Sequence, residues 1–445
     1  MDKKRNSLEE DIKKNALKFL EISKDKEILI ISHFDTDGIS SATIIIKSLK
    51  KLDKKFSVKI IKSLDEQFIR ELPKDKIIIF LDLASGSLHH IKNSNLKNVF
   101  IIDHHEISEE IPGEINIINP ELNNKEKISA SVLTYLFCKE LDQSNKEYAK
   151  IAILGMIGDS LENKINELKD KISNNGDIQK IRGPLIYPST RPLNRTLEYS
   201  SNPYLPGITG NIKGVLELLR EIGLNPEEGK YKSLIELNEE EMEKLIATII
   251  LKCPKSKEDI IGDIFLLKIS NRLEDARELS AMINACSKFG ESGTAIQTCM
   301  GIAQAKKKAE AIHVRYKQLI LSGIKYAENA EKITGKGFVI INAKEEIKDT
   351  MAGTITSILS HSRLYEEGTI ITILAHYEDK IKISCRVVGK NGRNVREILN
   401  NIITVIGGET GGHYNAAGAT ISQDKEEEFL KILKKNLEIE VIKIQ

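Results

Sequence analysis

Short apolar runs alternate with helical periodicity in the first third of the chain. The runs are rich in Ile and Val and are apolar at successive positions: EILIISH at 27–33, KIIIFLDL at 76–83 and NVFIID at 98–103. Such runs are typical of strands that are buried on both faces of a parallel sheet. Between the first two runs, GISSATIIIKSLKKL has the periodicity of a helix. This β-α-β order predicts a doubly wound α/β domain.

The pattern changes near residue 165, where a polar stretch leads into a proline-rich segment. From about 212 to 332 the pattern is mainly helical, and a last α/β unit starts at GFVIINA. The sequence therefore predicts a parallel-sheet α/β domain at 1–165, a linker and mainly helical middle section at 166–332, and a smaller C-terminal α/β domain at 333–445. We expect the two α/β domains to flank a cleft.

Composition limits the classes of function. At 445 residues, a prior of roughly 150 residues per domain suggests two or three domains. The net charge of +1 means that a polyanion would be held by local patches. The five cysteines include no CxxC pair, which argues against a zinc knuckle and a disulfide framework. The charged amphipathic start lacks a signal peptide's apolar region, and no apolar run approaches the roughly 20 residues that span a bilayer. These features predict a cytoplasmic protein without a membrane partner.

Acidic and imidazole side chains follow four apolar segments. The clusters are His33, Asp35 and Asp37 in SHFDTDG, Asp82 in FLDLASG, Asp103, His104 and His105 in IIDHHE, and Asp159 in GMIGDS. In an open parallel sheet, ligands bind beyond the carboxyl ends of the strands. We therefore expect the first three clusters to converge on one crevice.

Clustered carboxylates require a compensating cation, because like charges a few ångströms apart cannot all ionise. Asp and His without Cys suit Mn²⁺ or Mg²⁺ better than structural zinc. The candidate ligands exceed what one catalytic ion needs, so a pair of ions with one bridging carboxylate is the economical interpretation. The alternative for any single Asp after a strand is a helix cap or turn. Four such clusters at successive element ends favour the metal site.

These motifs resemble those of the DHH phosphoesterases. SHFDTDGISSA, LDLASG, IIDHHE and GMIGD match the family's N-terminal motifs, and VIGGETGGHYNAAGA resembles the glycine-rich signature of its DHH-associated C-terminal domain. The layout is most similar to the archaeal RecJ-like proteins, which include the GINS-associated nuclease and are related to a helicase cofactor of the eukaryotic replisome. This resemblance implies a Mn²⁺- or Mg²⁺-dependent exonuclease acting on single-stranded nucleic acid.

The resemblance also implies residue roles. Asp35 would bind one ion with His33 beside it, Asp37 would bind the other, and Asp82 would bridge both. His104 and Asp159 would complete the second ion's site. Asp103 would orient a histidine, and His105 would face the substrate phosphate as a donor or general acid. His33 matches the wider superfamily least well, because its spacing to Asp35 differs.

A second group of candidates lies in the C-terminal domain. Gly411 and Gly412 allow backbone N–H groups to approach a phosphate, and His413 can donate a hydrogen bond or stack on a base. Ser384 and Arg386 join them through the family resemblance, and the fork of Arg386 matches two phosphate oxygens. The alternative is a plain glycine turn.

Two weaker features leave alternatives open. Arg182, Arg195, Tyr199 and Tyr204 belong to a set of cations and aromatics that either lines a single-strand path or packs as a structured linker. The lysine run at 306–308 is interpreted as a solvated helix face.

The metal-site pattern and the family resemblance together imply a single-strand exonuclease acting on DNA or RNA in DNA replication or repair, and the resemblance adds GINS and the replicative helicase as expected partners. One rival is a phosphodiesterase for nano-RNA or cyclic dinucleotides, and the roughly 150-residue middle section argues against it. The other rival is a replisome scaffold, and the intact acidic motifs favour activity instead.

Overall fold

Five parallel strands form the first sheet of this computed structural model. Their bounds are β1 Ile28–His33, β2 Phe56–Ile61, β3 Ile77–Leu81, β4 Val99–Ile102 and β5 Ile115–Ile118. The spatial order is β2-β1-β3-β4-β5, and every pairing is parallel. The three strands expected from the sequence are the central ones, while β2 and β5 are edge strands that the sequence did not reveal. The predicted parallel-sheet α/β fold is confirmed.

The structure describes residues 7–107, 109–123, 128–162, 164, 177–200, 203–252, 260–269, 272–362 and 364–438. The helices are α1 Leu8–Ile22, α2 Thr36–Lys51, α3 Glu66–Arg70, α4 Leu88–Asn93, α5 Ala130–Leu141, α6 Ala149–Gly158, α7 Leu193–Glu198, α8 Ile212–Glu221, α9 Glu239–Lys252, α10 Ala276–Lys288, α11 Ser292–Cys299, α12 Ala303–Asn329, α13 Asp349–Ser360, α14 Val395–Ile406 and α15 Glu426–Glu438. Among these described helices, none is both long and apolar enough to cross a membrane.

Helices cover both faces of the first sheet. Alternate residues of β1 enter opposite cores, because successive side chains of a strand point to opposite faces. Ile28 and Ile30 pack with residues of α1, α2, α5, α6, α10 and α11, whereas Leu29 and Ile31 pack with residues of α3 and α4. Both faces of the central strands are therefore apolar, which explains the continuous Ile-rich runs in the sequence.

The remaining strands are β6 Ile178–Pro184, β7 Ile261–Leu267, β8 Glu274–Asp275, β9 Ile333–Gly335, β10 Phe338–Asn342, β11 Ile370–Tyr377, β12 Lys380–Val387, β13 Glu409–His413 and β14 Ala416–Ser422. The last six form one sheet in the order β13-β14-β12-β11-β10-β9. Within it, β10 and β11 are parallel and the other pairs are antiparallel. Helices α14 and α15 bury their apolar side chains against one face.

The chain forms two compact units, each from two separate segments. One consists of Met1–Arg182 and Asp263–His313, and the other of Gly183–Gly262 and Val314–Gln445. The predominantly helical middle of the chain is thus divided between the units. The boundary predicted between residues 165 and 166 lies outside the described residues, and the three-part domain division stays a prediction.

Candidate metal centre

The carboxyl ends of β1, β3 and β4 bring the predicted acids and imidazoles together. His33 is the last residue of β1, while Asp82 and Asp103 directly follow β3 and β4. The backbone N–H of Asp82 donates to Ile102 O at 3.0 Å, so this residue continues the ladder between β3 and β4. Because parallel strands end at the same edge of a sheet, three separate sequence motifs meet there.

Asp82 lies at the centre of the cluster. Its side chain is buried, and its two oxygens lie 3.4 Å from His33 Nδ1 and 3.2 Å from His104 Nε2. Neither oxygen accepts a hydrogen bond from a described residue. A buried carboxylate without a donor is costly, yet imidazole nitrogens stand on both of its sides. This arrangement fits oxygen and nitrogen atoms gathered around a common cation.

Two further acids come from the start of α2. Asp35 caps this helix by accepting from Gly38 N at 3.0 Å, and its Oδ2 lies 2.9 Å from His33 Nδ1. Asp37, fully buried, accepts from two backbone N–H groups at the start of α5, Ala130 at 2.7 Å and Ser131 at 3.0 Å. The positive end of the α5 dipole favours an anion there.

The residues form overlapping groups whose ligand atoms lie within 4.8 Å of one another. The groups are His33, Asp35 and Asp82; Asp37, His104 and Asp159; and Asp82, Asp103, His104 and His105. Asp159 directly follows α6, and its Oδ2 lies 3.2 Å from His104 Nε2. All six residues predicted to bind metal are therefore close together, and their oxygen and imidazole donors fit Mn²⁺ or Mg²⁺.

The pKa values of His33 and Asp82 both shift upward because the clustered carboxylates carry negative charge in a buried site. Burial opposes a charge on His33, yet contacts with Asp35 and Asp82 outweigh burial and raise the pKa of the imidazole to about 10. Burial raises the pKa of Asp82 well above its ordinary value, and the neighbouring charge of Asp37 adds to this effect. A bound divalent cation would supply the positive charge that protonated His33 provides in its absence.

Asp103 is held differently, as a fully hydrogen-bonded carboxylate. Its Oδ1 accepts from His104 N at 2.8 Å and lies 2.7 Å from His105 Nδ1, and its Oδ2 accepts from Ser85 N at 3.0 Å. Burial raises the pKa of Asp103, but the contacts with His105 and Ser85 outweigh it and hold the pKa well below the usual range. Of the two adjacent histidines, His105 is the one whose ring contacts Asp103.

The second group of predicted residues forms rows across three adjacent strands of the second unit. Arg386 on β12 pairs with Ala416 on β14, which pairs with His413 on β13. Ser384 and Gly411 pair with Gly418 in the same way. Since paired and alternate residues share a face, Ser384, Arg386, Gly411 and His413 lie on one face. The Nε atom of Arg386 is buried without a hydrogen bond to a described residue.

Gly412 has a structural reason of its own. Its φ of +128° is unfavourable for other residues. An added Cβ would also overlap with Ala416 O of the facing strand and lie 2.6 Å from Ala417 Cα. Gly411 has neither constraint, since nothing lies within 4 Å of an added Cβ. The glycine signature thus combines, at Gly412, a backbone conformation and close strand approach that only glycine allows with an open backbone surface at Gly411.

The structure favours the packed alternative at Tyr204 and contradicts the interpretation of the lysine run at Lys306. Tyr204 is 8% exposed and its hydroxyl donates to Glu328 at 2.6 Å, so it packs within its unit and is not an exposed stacking surface. Lys306 is 9% exposed and forms an ion pair with Glu274, so the prediction of a solvated lysine face is wrong at this position. The local charge pattern of the sequence does not indicate that Tyr204 or Lys306 is buried.

The sequence also missed residues that support the site. Ala130 and Ser131 hold Asp37 through their backbone, so the only local signal is the start of a helix. Ser85 and Asn119 bond to the cluster from loops. Single small or polar residues of this kind are common in loops, which is why no motif revealed them.

Known families match three parts of the chain. The DHH family N-terminal domain matches residues 27–156, the DHH-CID domain matches 186–259, and the DHHA1 domain matches 335–438. The uncharacterized protein MJ0831 of Methanocaldococcus jannaschii is 29% identical over 424 residues, covering 91% of each chain. The matched regions contain every residue of the first cluster except Asp159, and every candidate of the second group.

Solved structures share the fold across nearly the whole chain. Exonuclease RecJ bound to manganese has a TM-score of 0.62 at 15% identity, covering 97% of this chain and 95% of that one. CDC45 from Entamoeba histolytica has a TM-score of 0.72 at 11% identity, covering 96% and 98%. RecJ in complex with Mn²⁺ from Thermus thermophilus has a TM-score of 0.57 at 15% identity, covering 96% and 54%. The chain thus contains a DHH family N-terminal domain, a DHH-CID domain and a DHHA1 domain, and the solved structures show that its fold is RecJ-like.

Proposed function

We propose that this protein is a metal-dependent exonuclease that hydrolyses phosphodiester bonds of single-stranded DNA or RNA. The observation that carries the proposal is the pair of ligand sets that meet at Asp82. The first set consists of Asp82, His33 and Asp35. Oδ1 of Asp82 faces His104, which belongs to the second set together with Asp37 and Asp159. This arrangement suits a pair of divalent ions with Asp82 between them.

The cations, when bound, would supply positive charge to the phosphate oxygens and activate water for attack. The chain's own residues would orient the substrate. Asp103 contacts Nδ1 of His105 at 2.7 Å, so Nε2 would contact the phosphate, as a donor or general acid. The half-exposed side chain of His105 is accessible for such a contact.

In the second unit, Ser384, Arg386 and His413 would bind the nucleic-acid strand. The guanidinium of Arg386 offers paired donors to phosphate oxygens, and its buried Nε has no partner among the described residues. His413 is exposed and can stack on a base. The resemblance to archaeal RecJ-like proteins adds GINS as a proposed partner, in replication or repair.

The test of the reaction is a time course on single-stranded DNA and RNA 20-mers labelled at either end, with Mn²⁺ and with EDTA. We expect stepwise shortening in Mn²⁺ and none in EDTA. A dinucleotide is the competing substrate. A strong preference for it would favour the small-substrate phosphodiesterase, and binding to GINS without hydrolysis would favour a scaffold.

The test of the site is Asp82→Asn, which keeps the shape of the side chain and removes its charge. We expect kcat to fall by about 1,000-fold or more, as for other essential groups. Asp53→Asn is the matched control, because Asp53 also has a left-handed backbone (φ +51° against +59° for Asp82) but is exposed and outside the cluster. Full activity of Asp82→Asn would contradict the proposed role.

A further inference from the structure

Asn119 is a buried polar residue directly after β5 and lies outside the acidic and imidazole clusters. It is 1% exposed, and it contacts two of the loops that carry the candidate catalytic residues. We propose that Asn119 is a positioning residue that holds His105 in its working orientation. This inference rests on the function proposed above.

The side-chain amide of Asn119 is fully used. Its Nδ2 donates to His105 O at 2.9 Å and to Ser85 Oγ at 3.1 Å. Its Oδ1 accepts from Glu121 N at 3.0 Å. The last bond ties the amide to the chain that follows β5, so Asn119 fastens the His105 loop and the Ser85 loop to the sheet.

The bond to Ser85 continues to the imidazole. Ser85 accepts the Asn119 amide through its hydroxyl at 3.1 Å. Ser85 also donates its backbone N–H to Asp103 Oδ2 at 3.0 Å. Asp103 in turn engages Nδ1 of His105. Asn119 therefore acts on His105 at the carbonyl directly and at the ring through Ser85 and Asp103.

The chemistry of the amide explains why asparagine occupies this position. Two donors and one acceptor are needed in a site closed to water, and Asn supplies them in one short side chain. Aspartate cannot donate either bond and would place a second carboxylate close to Asp103. Alanine would leave the His105 carbonyl and the Ser85 hydroxyl without this donor.

The first measurement is kcat, KM and Mn²⁺ affinity for Asn119→Ala and Asn119→Asp. Substituting a residue that supports a functional side chain typically lowers activity by about 10- to 100-fold, so we expect kcat to fall by about that factor. KM and Mn²⁺ affinity should stay within about twofold of the parent. Asn116→Ala is the matched control, because Asn116 lies three residues earlier in β5 and its side chain, among the described residues, donates to Val99 O alone.

A double-mutant cycle separates positioning from a general structural role. If Asn119 acts through the imidazole, adding Asn119→Ala to His105→Ala should lower kcat by less than about twofold. Independent, multiplicative losses would overturn the inference. Should Asn119→Ala lose its cooperative unfolding transition, Ser85→Ala takes its place in the same cycle, because it removes the hydroxyl through which Asn119 holds Ser85, the residue that donates to Asp103.

Amide hydrogen exchange gives a readout that needs no activity. In Asn119→Ala we expect the peptide that contains residues 103–107 to exchange at least about tenfold faster, whereas Asn116→Ala leaves it unchanged. Unchanged exchange in both variants would overturn the positioning role. An inactive parent protein with this exchange difference intact would instead refute the proposed function alone.

Discussion

The aspartates of the metal centre have pKa values that their surroundings shift in opposite directions. Contacts with His33 hold the pKa of Asp35 at about 2 despite burial, while burial raises the pKa of Asp37 and Asp82. Asp82 also has a left-handed φ of +59°, a conformation that costs a non-glycine residue free energy. Backbone strain and an unfavourable buried carboxylate thus coincide at Asp82, the residue that we propose the two ions share.

The raised pKa of His33 predicts a pH dependence of stability in the metal-free protein. Its pKa rises from 6.5 to about 10 on folding, so the folded state binds this proton more tightly. The stabilisation is complete below pH 6.5 and is lost as the pH rises through 10. Urea unfolding in EDTA at pH 6 to 10 should therefore show the parent losing stability relative to His33→Gln. Parallel pH profiles would contradict this prediction.

Helix packing shapes the cluster at the scale of elements. The carboxylate of Asp37 is enclosed by its own helix α2, by the first turn of α5 and by α6. A Cβ at Gly155 of α6 would overlap with Ser131 Oγ and Asp37 Oδ1. A Cβ at Gly158 would lie 2.7 Å from Thr36 Cβ. The small residues of α6 therefore allow three helices to meet around one carboxylate.

Gly155→Ala should damage this arrangement. Inserting a methyl group into a filled space costs about 1–3 kcal/mol of unfolding free energy, and we expect Mn²⁺ affinity to fall because Asp37 must move. Gly293→Ala is the matched control, since Gly293 lies in α11 with nothing within 4 Å of its added Cβ. It should be neutral or stabilising by up to about 1 kcal/mol. Equal effects of both substitutions on Mn²⁺ affinity would contradict the packing argument.

At the scale of the whole molecule, the predicted chemistry is divided between two units. The acids and imidazoles of the metal centre belong to the unit that contains residues 1–182, and the candidate strand-binding residues belong to the unit that contains 314–445. Residues 263–313 join the first unit although they follow part of the second in sequence. Helices α10 and α11 thereby contribute buried side chains to the core of the first unit.

Metal binding should therefore stabilise the units unequally. At a Mn²⁺ concentration of about 100 times Kd, ligand binding to the folded state should raise the unfolding free energy of the unit that holds the metal centre by about 2.7 kcal/mol. We expect amide hydrogen exchange to slow in peptides of β1, β3, β4 and α5 and to stay unchanged in peptides of β10–β14. Protection spread evenly over both units, or none at all, would contradict the assignment of the ligands. Ca²⁺ serves as a divalent control for charge alone.

The local pattern of apolar residues was sufficient to predict the central strands and the acidic residues that follow them. Strands buried on both faces must be apolar at successive positions, so β1, β3 and β4 are visible as Ile-rich runs. Because parallel strands end at one edge, the convergence of His33, Asp82 and Asp103 could be predicted. The edge strands escaped notice because β2 is only partly buried, and because the first half of β5 is also partly buried and contains the polar Asn116.

Features that depend on distant parts of the chain could not be predicted. No spacing rule indicates that α5 donates two N–H groups to Asp37, that Asp103 engages His105, or that Lys306 is buried against Glu274. The apolar pattern along this chain determined the type and order of the central elements, since burial selects side chains position by position. The partners of each polar group were decided only by tertiary packing, because a hydrogen bond depends on distances and angles between segments that the order of residues does not specify.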